Sequence, residues 1–277
     1  CIRDRYAFQN CVKLSEILLP EGLLSINGQA FSGCGQYSEK LGFKTGLTSI
    51  TIPSTVTTIG SKAFESCAAL EEATIKSSLI GESMFLDCRM LKKVTIGVNT
   101  ESIKNLAFSG CTSLSDIDLQ SNILTEIGKG AFQSAAISDF VIPDSVTSLG
   151  AGSAATGADG VFADCSKLLS VTIGTGVANL TDCLFANCQS LETVEFKENG
   201  KTAQIGKKVF YNCRSLKAIS LPSTVNQIGL VGTSSYTTST TNCSVFEGCA
   251  ALVSISLPSA VAKIGQNTFK DCSSLQT

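Results

Sequence analysis

The chain has 277 residues with 21 basic against 23 acidic side chains, five prolines, and neither histidine nor tryptophan. Without histidine there is no imidazole base, no histidine metal ligand and no Ser-His-Asp or Cys-His nucleophile system. A formal charge of −2 supplies no broad basic surface, which argues against nucleic acid and anionic membrane as partners, while 43% apolar and 16% charged residues make a folded composition.

From the N-terminus, Phe8 is followed three residues on by Cys11, and the pair returns as Phe31/Cys34, Phe64/Cys67, Phe85/Cys88, Phe108/Cys111, Phe162/Cys165, Phe185/Cys188, Phe210/Cys213, Phe246/Cys249 and Phe269/Cys272. Phe132 keeps the register, with Ala135 in the cysteine's place. Eleven of 14 phenylalanines and ten of 13 cysteines therefore obey one repeat of 23 residues. Three insertions lengthen it, at 35–46, 151–160 and 230–244.

Between successive Phe positions runs L-x-x-I-x-I, clearest in LTSITIPSTVTTIGSKAFESCAA, Leu47 to Ala69. Its alternation of β-branched residues predicts one parallel strand per unit, near 14–19, 47–52, 70–75, 91–96, 114–119, 137–142, 168–173, 191–196, 216–221 and 252–257. All five prolines, Pro20, Pro53, Pro143, Pro222 and Pro258, follow the last apolar residue of this run and mark strand ends, because proline has no N–H to give a sheet. Gly60, Gly81, Gly128, Gly150, Gly206, Gly229 and Gly265 each follow the next apolar residue, where a chain reversal with φ > 0 is expected. The A-F-x-x-C-x-x-L stretch predicts one helical or 3₁₀ turn on the opposite wall. No unit carries enough apolar residues to close a core alone. The expected architecture is an α/β repeat solenoid, one domain over 1–277 of about eleven 23-residue coils, with its Phe rings stacked in a buried column.

In-register cysteines on adjacent coils would have parallel, not converging, Cβ vectors, which predicts a ladder of reduced, buried thiols. No C-x-x-C spacing and no histidine offers them to a metal. The cysteines outside the repeat, Cys1, Cys183 and Cys243, are the candidates for reactive thiols, with Cys243, at a polar insertion, the readiest to label.

The string of units resembles the BspA-like leucine-rich repeats, the class also called the Treponema pallidum type, over nearly the whole chain. The resemblance implies a right-handed horseshoe or arc with a parallel sheet on its concave face. It also implies non-enzymatic surface or secreted proteins of bacteria and some protists that adhere to host proteins or to other microbes. No binding, catalytic, cofactor or metal residue is fixed across that family. A structural spacer and an intracellular interaction scaffold remain open as alternatives. Both ends fall inside a unit, and the chain shows neither a signal peptide nor an apolar run of transmembrane length. It is therefore expected to be part of a longer protein and not itself to insert into a membrane.

Two candidate binding regions follow from the repeat. The outward strand columns are mostly Ser, Thr and acid, and Asp116, Asp118 and Asp139 are expected together on adjacent coils, able to hold a cation or face a basic partner. An open sheet without aromatic walls offers no cleft for paired-carboxylate glycoside chemistry. The insertions 151–160, read as flexible, and 230–244 enter at the same place in the unit, and the longer carries Tyr236, Thr237 and Thr238 in a Ser/Thr-rich run. That composition suits a recognition loop and is expected to make the main contact with a protein or glycan ligand of host matrix or another microbe.

Overall fold

The alternation in the L-x-x-I-x-I runs becomes strand. In the computed structural model, which describes residues 4–38, 40–229 and 243–276, the chain divides into two compact units, Cys1–Ile137 and Ser138–Thr277. In the first unit Ser49–Ile52, Glu72–Ile75, Lys93–Ile96 and Asp116–Leu119 form one parallel sheet, in the register Ile50, Ala73, Val94, Ile117. In the second, Asp139–Val141, Ser170–Ile173 and Thr193–Phe196 pair in parallel, and Ala218–Ser220 pairs with Ser254–Ser256. Inward residues such as Ile52, Ile75, Val94 and Ile96 are fully buried, while Thr51, Glu72, Lys93 and Asp116 face solvent. The one-residue alternation thus separates core from surface along every strand.

Among the described residues nine such strands make about eight turns of parallel β-solenoid, fewer than the eleven coils expected. Residues 14–19 form no strand. In the regular run the residue after each strand donates its N–H to the preceding coil, as Lys76 does to the Ile52 carbonyl at 3.0 Å and Gly97 to Ile75 at 2.7 Å. Pro53 occupies that donor position opposite Leu19 and has no proton to give, and the 35–46 insertion enters directly before the would-be partner strand. The same rung is unavailable from Pro222 to Phe196, and no ladder joins Thr193–Phe196 to Ala218–Ser220.

A second wall, absent from the sequence expectations, consists of two-residue strands ending at the apolar residue before the repeat glycine. Leu79–Ile80, Ser102–Ile103 and Glu126–Ile127 stack in the first unit, and Asn179–Leu180, Gln204–Ile205 and Gln227–Ile228 in the second. Gly60, Gly81, Gly128, Gly206 and Gly265 are not among the residues with positive φ; of the repeat glycines expected to need it, only Gly229 has it, at 78°. Gly60, Gly81, Gly128, Gly206 and Gly265 are required by close stacking. A Cβ on Gly60 would run into the Gly28 nitrogen, and one on Gly128 would lie 2.5 Å from that of Asn105.

The third wall carries Phe and Cys, and there the expected helical turn does not form: no helix exists among the described residues. Two positions per coil explain this. The residue two after Phe is left-handed in every coil, from Asn10 (φ 58°) through Ser66 (55°), Asp87 (58°) and Asn187 (63°) to Asp271 (59°), and so is nearly every residue two before it. Their amides are also engaged elsewhere, since N–H groups two before Phe, at Phe and two after it point along the stack. Lys62, Phe64 and Ser66 donate to the Glu82, Met84 and Leu86 carbonyls at 3.0, 2.9 and 2.8 Å. A helix needs consecutive right-handed residues and i→i−4 bonds; this wall has neither.

The core is the predicted column of rings. Phe8, Phe31, Phe64, Phe85, Phe108 and Phe132 stack with centroids 4.9–5.5 Å apart in the first unit, and Phe162, Phe185, Phe210, Phe246 and Phe269 at 5.2–5.7 Å in the second. Nine of these side chains are completely buried. Beside them the repeat thiols donate to the carbonyl of the preceding coil's Phe: Cys67 to Phe31 at 3.2 Å, Cys88 to Phe64 at 3.0 Å, Cys213 to Phe185 at 3.2 Å. Cysteine is selected here as a small apolar residue that also brings a proton for an acceptor lying one coil away.

Candidate binding surface

The outward strand columns are solvated and, apart from Val141 and Ala218, polar in both units. Asp116 and Asp118 project from one strand of the first unit; Asp116 pairs with Lys93 at 3.4 Å, and Asp118 accepts from the Gln120 amide at 2.8 Å. Asp139 lies on the first strand of the second unit and accepts from Ser138 at 2.7 Å. Each acid thus has a local partner. Among the described residues no group of three or more His, Cys, Asp or Glu is arranged to hold a metal ion.

The three insertions differ in how they leave the solenoid. Residues 35–46 form an antiparallel hairpin, Gly35–Ser38 against Phe43–Gly46. Its neck depends on two glycines with φ of 139° and 103°, packed so that a Cβ on Gly46 would collide with the Gly35 Cα. Tyr37, Leu41 and Phe43 are 44%, 73% and 39% exposed on this hairpin, a group of large apolar side chains that the strand columns do not contain and that sequence reasoning leaves out. A signal for it exists: glycines at both ends of an insertion and Gly42 at its tip spell a hairpin. Lys44 ties the hairpin to Glu71, which also holds Lys92 at 3.1 Å, and these two ammonium groups keep the Glu71 carboxyl below its ordinary pKa.

The 151–160 insertion is a folded cover, where a flexible loop was expected. Ser153 and Ala158 bridge, and the Gly152 amide donates to Asp182 of the next coil at 2.8 Å. Beneath it Cys183 is wholly buried with Ala163 and Ala186, against Tyr211, and burial pushes its thiol pKa up to about 11. Tyr236, Thr237 and Thr238 lie outside the described residues. Cys243, where that insertion ends, is only 3% exposed, with Gly265 pressed against its Cβ and Sγ. Both Cys183 and Cys243 are therefore protected rather than reactive: Cys183 lies under the folded 151–160 segment, and Cys243 ends an insertion that must return to the core before the next Phe. Cys1 lies outside the described residues. Among the described cysteines Cys11, in the first coil, is exposed and Cys272 half-buried; burial pushes Cys34, one coil on from Cys11, up to about 12.

One buried carboxylate stands apart. Glu247 is 8% exposed; burial raises its pKa, but hydrogen bonds from Lys270, at 2.7 Å, and Ser244 outweigh that and leave it below the ordinary glutamate value. It is a structural ion pair in the second unit, and nearby the Lys208 ammonium lies over the Tyr211 ring at 5.2 Å.

A stacked parallel β-solenoid with a Phe and thiol wall defines a leucine-rich-repeat protein. The BspA type leucine rich repeat region, in six copies, matches residues 4–43, 43–153, 158–231 and 230–277, and the chain belongs to that family. The fold is similar to a leucine-rich repeat protein from Bacteroides ovatus, 28% identical over 98% of this chain and 74% of that one, with a TM-score of 0.65. The leucine-rich repeat protein of T. pallidum is 29% identical, covering 61% of this chain and 78% of its own, with a TM-score of 0.52. One from Eubacterium ventriosum, at 21% identity over 99% of this chain and 68% of that one and a TM-score of 0.64, shares the fold. No curated protein matches the chain. No helix of the described residues is long and apolar enough to cross a membrane.

Proposed function

We propose that this chain is a non-enzymatic macromolecule-binding module, an adhesin-like repeat region of a cell-surface or secreted protein whose ligand is a protein or a glycan. Membership of the BspA type family supports a protein-binding repeat module. The observation that carries the reading is the 35–46 hairpin, which holds Tyr37, Leu41 and Phe43 in solvent beside a polar sheet face. Exposing large apolar side chains on both faces of a hairpin and near its tip is unfavourable for an isolated soluble surface and is the composition of an interface anchor. Tyr236, Thr237 and Thr238 contribute the second contact and Asp116, Asp118 and Asp139 a polar edge. A spacer that merely holds another domain at a distance has no use for such a hairpin.

The test is interferometry of the purified chain against a panel of matrix proteins and glycans. Saturable binding that weakens about tenfold or more in Tyr37→Ser/Phe43→Ser, with an unchanged melting temperature, is the expected result for a hot-spot anchor. Absence of binding to every panel member would leave the spacer reading in its place.

A further inference from the structure

Where the long-strand sheet of the second unit breaks, it opens a cleft of about 650 Å³ between the ends of the strands Thr193–Phe196 and Ala218–Ser220. The cause can be read residue by residue. The last inward position of the strand is a fully buried isoleucine in the regular run, Ile52, Ile75 and Ile96, but here it is Phe196. Phe196 is only half-buried and lines the cleft together with Leu221 of the next coil. Its carbonyl has no rung to receive, because the residue opposite is Pro222. The connection after Phe196 is the turn Lys197-Glu198-Asn199-Gly200, closed by the Gly200 N–H on the Lys197 carbonyl at 3.2 Å, with Asn199 left-handed at φ 60°.

Beside this aromatic floor the lining residues carry seven polar side chains. Those of Glu195, Glu198, Asn199 and Ser220 make no hydrogen bond or ion pair among the described residues, although all line one cavity. The one cation lining it, Lys197, is already held by Asp144 at 3.0 Å. This chemistry selects against most ligands. Two free carboxylates repel phosphates and other anions, and no third carboxylate completes a cation site. What fits is a neutral polyhydroxyl: the C–H face of a sugar ring on the Phe196 ring, with its hydroxyls donating to the carboxylates and exchanging hydrogen bonds with the amide and the serine. The volume lies within the range of small-ligand sites.

We propose that this cleft is a carbohydrate-binding subsite, taking one or two sugar units of a neutral glycan. It deepens the binding-module reading above and depends on it, since it assigns part of the ligand to a place on the chain. Phe196 supplies the stacking platform. Glu195 and Glu198 are the orienting acceptors.

The experiment is ¹⁵N-resolved NMR titration of the chain with maltose, lactose, cellobiose and diacetylchitobiose, together with saturation-transfer difference spectra of each sugar. At least one sugar should shift amides of 194–200 and 220–224 and receive saturation through its ring protons. Phe196→Ile, which restores the regular core residue and is expected to fold, should weaken this about tenfold, the order of an aromatic contact. Glu195→Thr, a change to the residue that other coils carry at that exposed position, should weaken it without altering the melting temperature. No shift with any of the sugars, shifts confined to other regions, or equal affinity in Phe196→Ile overturns the proposal. If a matrix protein still binds through the 35–46 hairpin while no sugar shifts the cleft, the subsite falls and the module stands.

Discussion

The run from Leu47 to Leu119 and the stretch from Leu191 to Thr224 are written in the same repeat, yet one is a continuous ladder and the other is split. In the first, the strands ending at Ile52, Ile75 and Ile96 each receive at that isoleucine an N–H from the next coil, from Lys76, Gly97 and Gln120 at 2.7–3.0 Å. In the second, Phe196 and Pro222 take those two positions and the ladder stops. The stack nevertheless holds across the break. Phe185 and Phe210 remain stacked at 5.7 Å, Cys213 still donates to the Phe185 carbonyl at 3.2 Å, and Gln204–Ile205 still pairs with both neighbours. Three walls stitch the coils together, so one can be surrendered. The long-strand wall is the one free to open for a ligand, because the Phe wall supplies the core and the glycine wall has no room.

The sharpest way to break this comparison is to remove a ring from each place. Phe108→Ala should cost about 3–5 kcal/mol, the range for core Phe truncation, and Phe196→Ala should cost well under half of that, because its ring is already partly in solvent. Urea titrations of the two variants decide it. A loss under about 1 kcal/mol for Phe108→Ala would mean that the column is not the core.

The glycine wall gives the next contrast. Gly128→Ala puts a methyl 2.5 Å from the Asn105 nitrogen, and overpacking against backbone costs about 1–3 kcal/mol. Gly200→Ala, in the turn beside the cleft, meets nothing nearer than the Lys197 oxygen at 3.1 Å and should be close to neutral. Equal thermal shifts for the two would contradict the account of why these glycines are there.

Smaller per residue, but summed along the stack, is the thiol ladder. Burial raises the pKa values of Cys34, Cys88, Cys111, Cys188 and Cys213 above the ordinary thiol value of 9.0, with Cys34 at about 12. A raised folded pKa means that the folded chain holds these protons more tightly than the unfolded one. Stability is then complete below about pH 9 and declines as pH rises from there toward about 12. The melting temperature should therefore drop steeply above about pH 9. Thiol labelling below that range should be fast at Cys11 and slow at Cys67, Cys88, Cys111, Cys183 and Cys243. Rapid labelling of Cys183 or Cys243 would refute their burial.

How much of this is legible in the sequence follows the physics of each wall. Period-two alternation and the Phe and Cys register show the strands and the core, since both are patterns of burial. Apolar spacing of three or four fits a turn of either kind, so spacing alone wrongly makes the Phe wall helical. The discriminating column lies two residues after each Phe, where Asn10, Gly33, Ser66, Asp87, Gly110, Ser134, Asp164, Asn187, Asn212, Gly248 and Asp271 all adopt a left-handed backbone, most of them Gly, Asn or Asp, which tolerate it best. The repeat glycines suggest a dihedral cause when the true one is contact, because contact between coils is not visible in one coil's sequence. The binding surface is the least legible. The hairpin shows only through its glycines, and the cleft through two departures, Ile to Phe and N–H to proline, each harmless alone.

The smallest expected effect separates those two departures. Pro222→Ala supplies the missing N–H, whose hydrogen bond would add about 0.5–1.5 kcal/mol, while loosening the unfolded chain by about 0.4–1 kcal/mol, so the net change in stability should be within about 1 kcal/mol of zero. Stability is therefore the wrong readout, and amide exchange is the right one. If the Phe196 ring holds the strands apart, the N–H introduced at position 222 stays unprotected in the single variant and becomes protected only when Phe196→Ile is added. The reference is Lys76, which occupies the same place in the regular run and donates to Ile52 at 3.0 Å. Protection at position 222 equal to that at Lys76 in the single variant would show that proline alone opened the sheet and that the ring merely fills the gap. Protection only in the double variant assigns the opening to Phe196, the residue on which the proposed subsite depends.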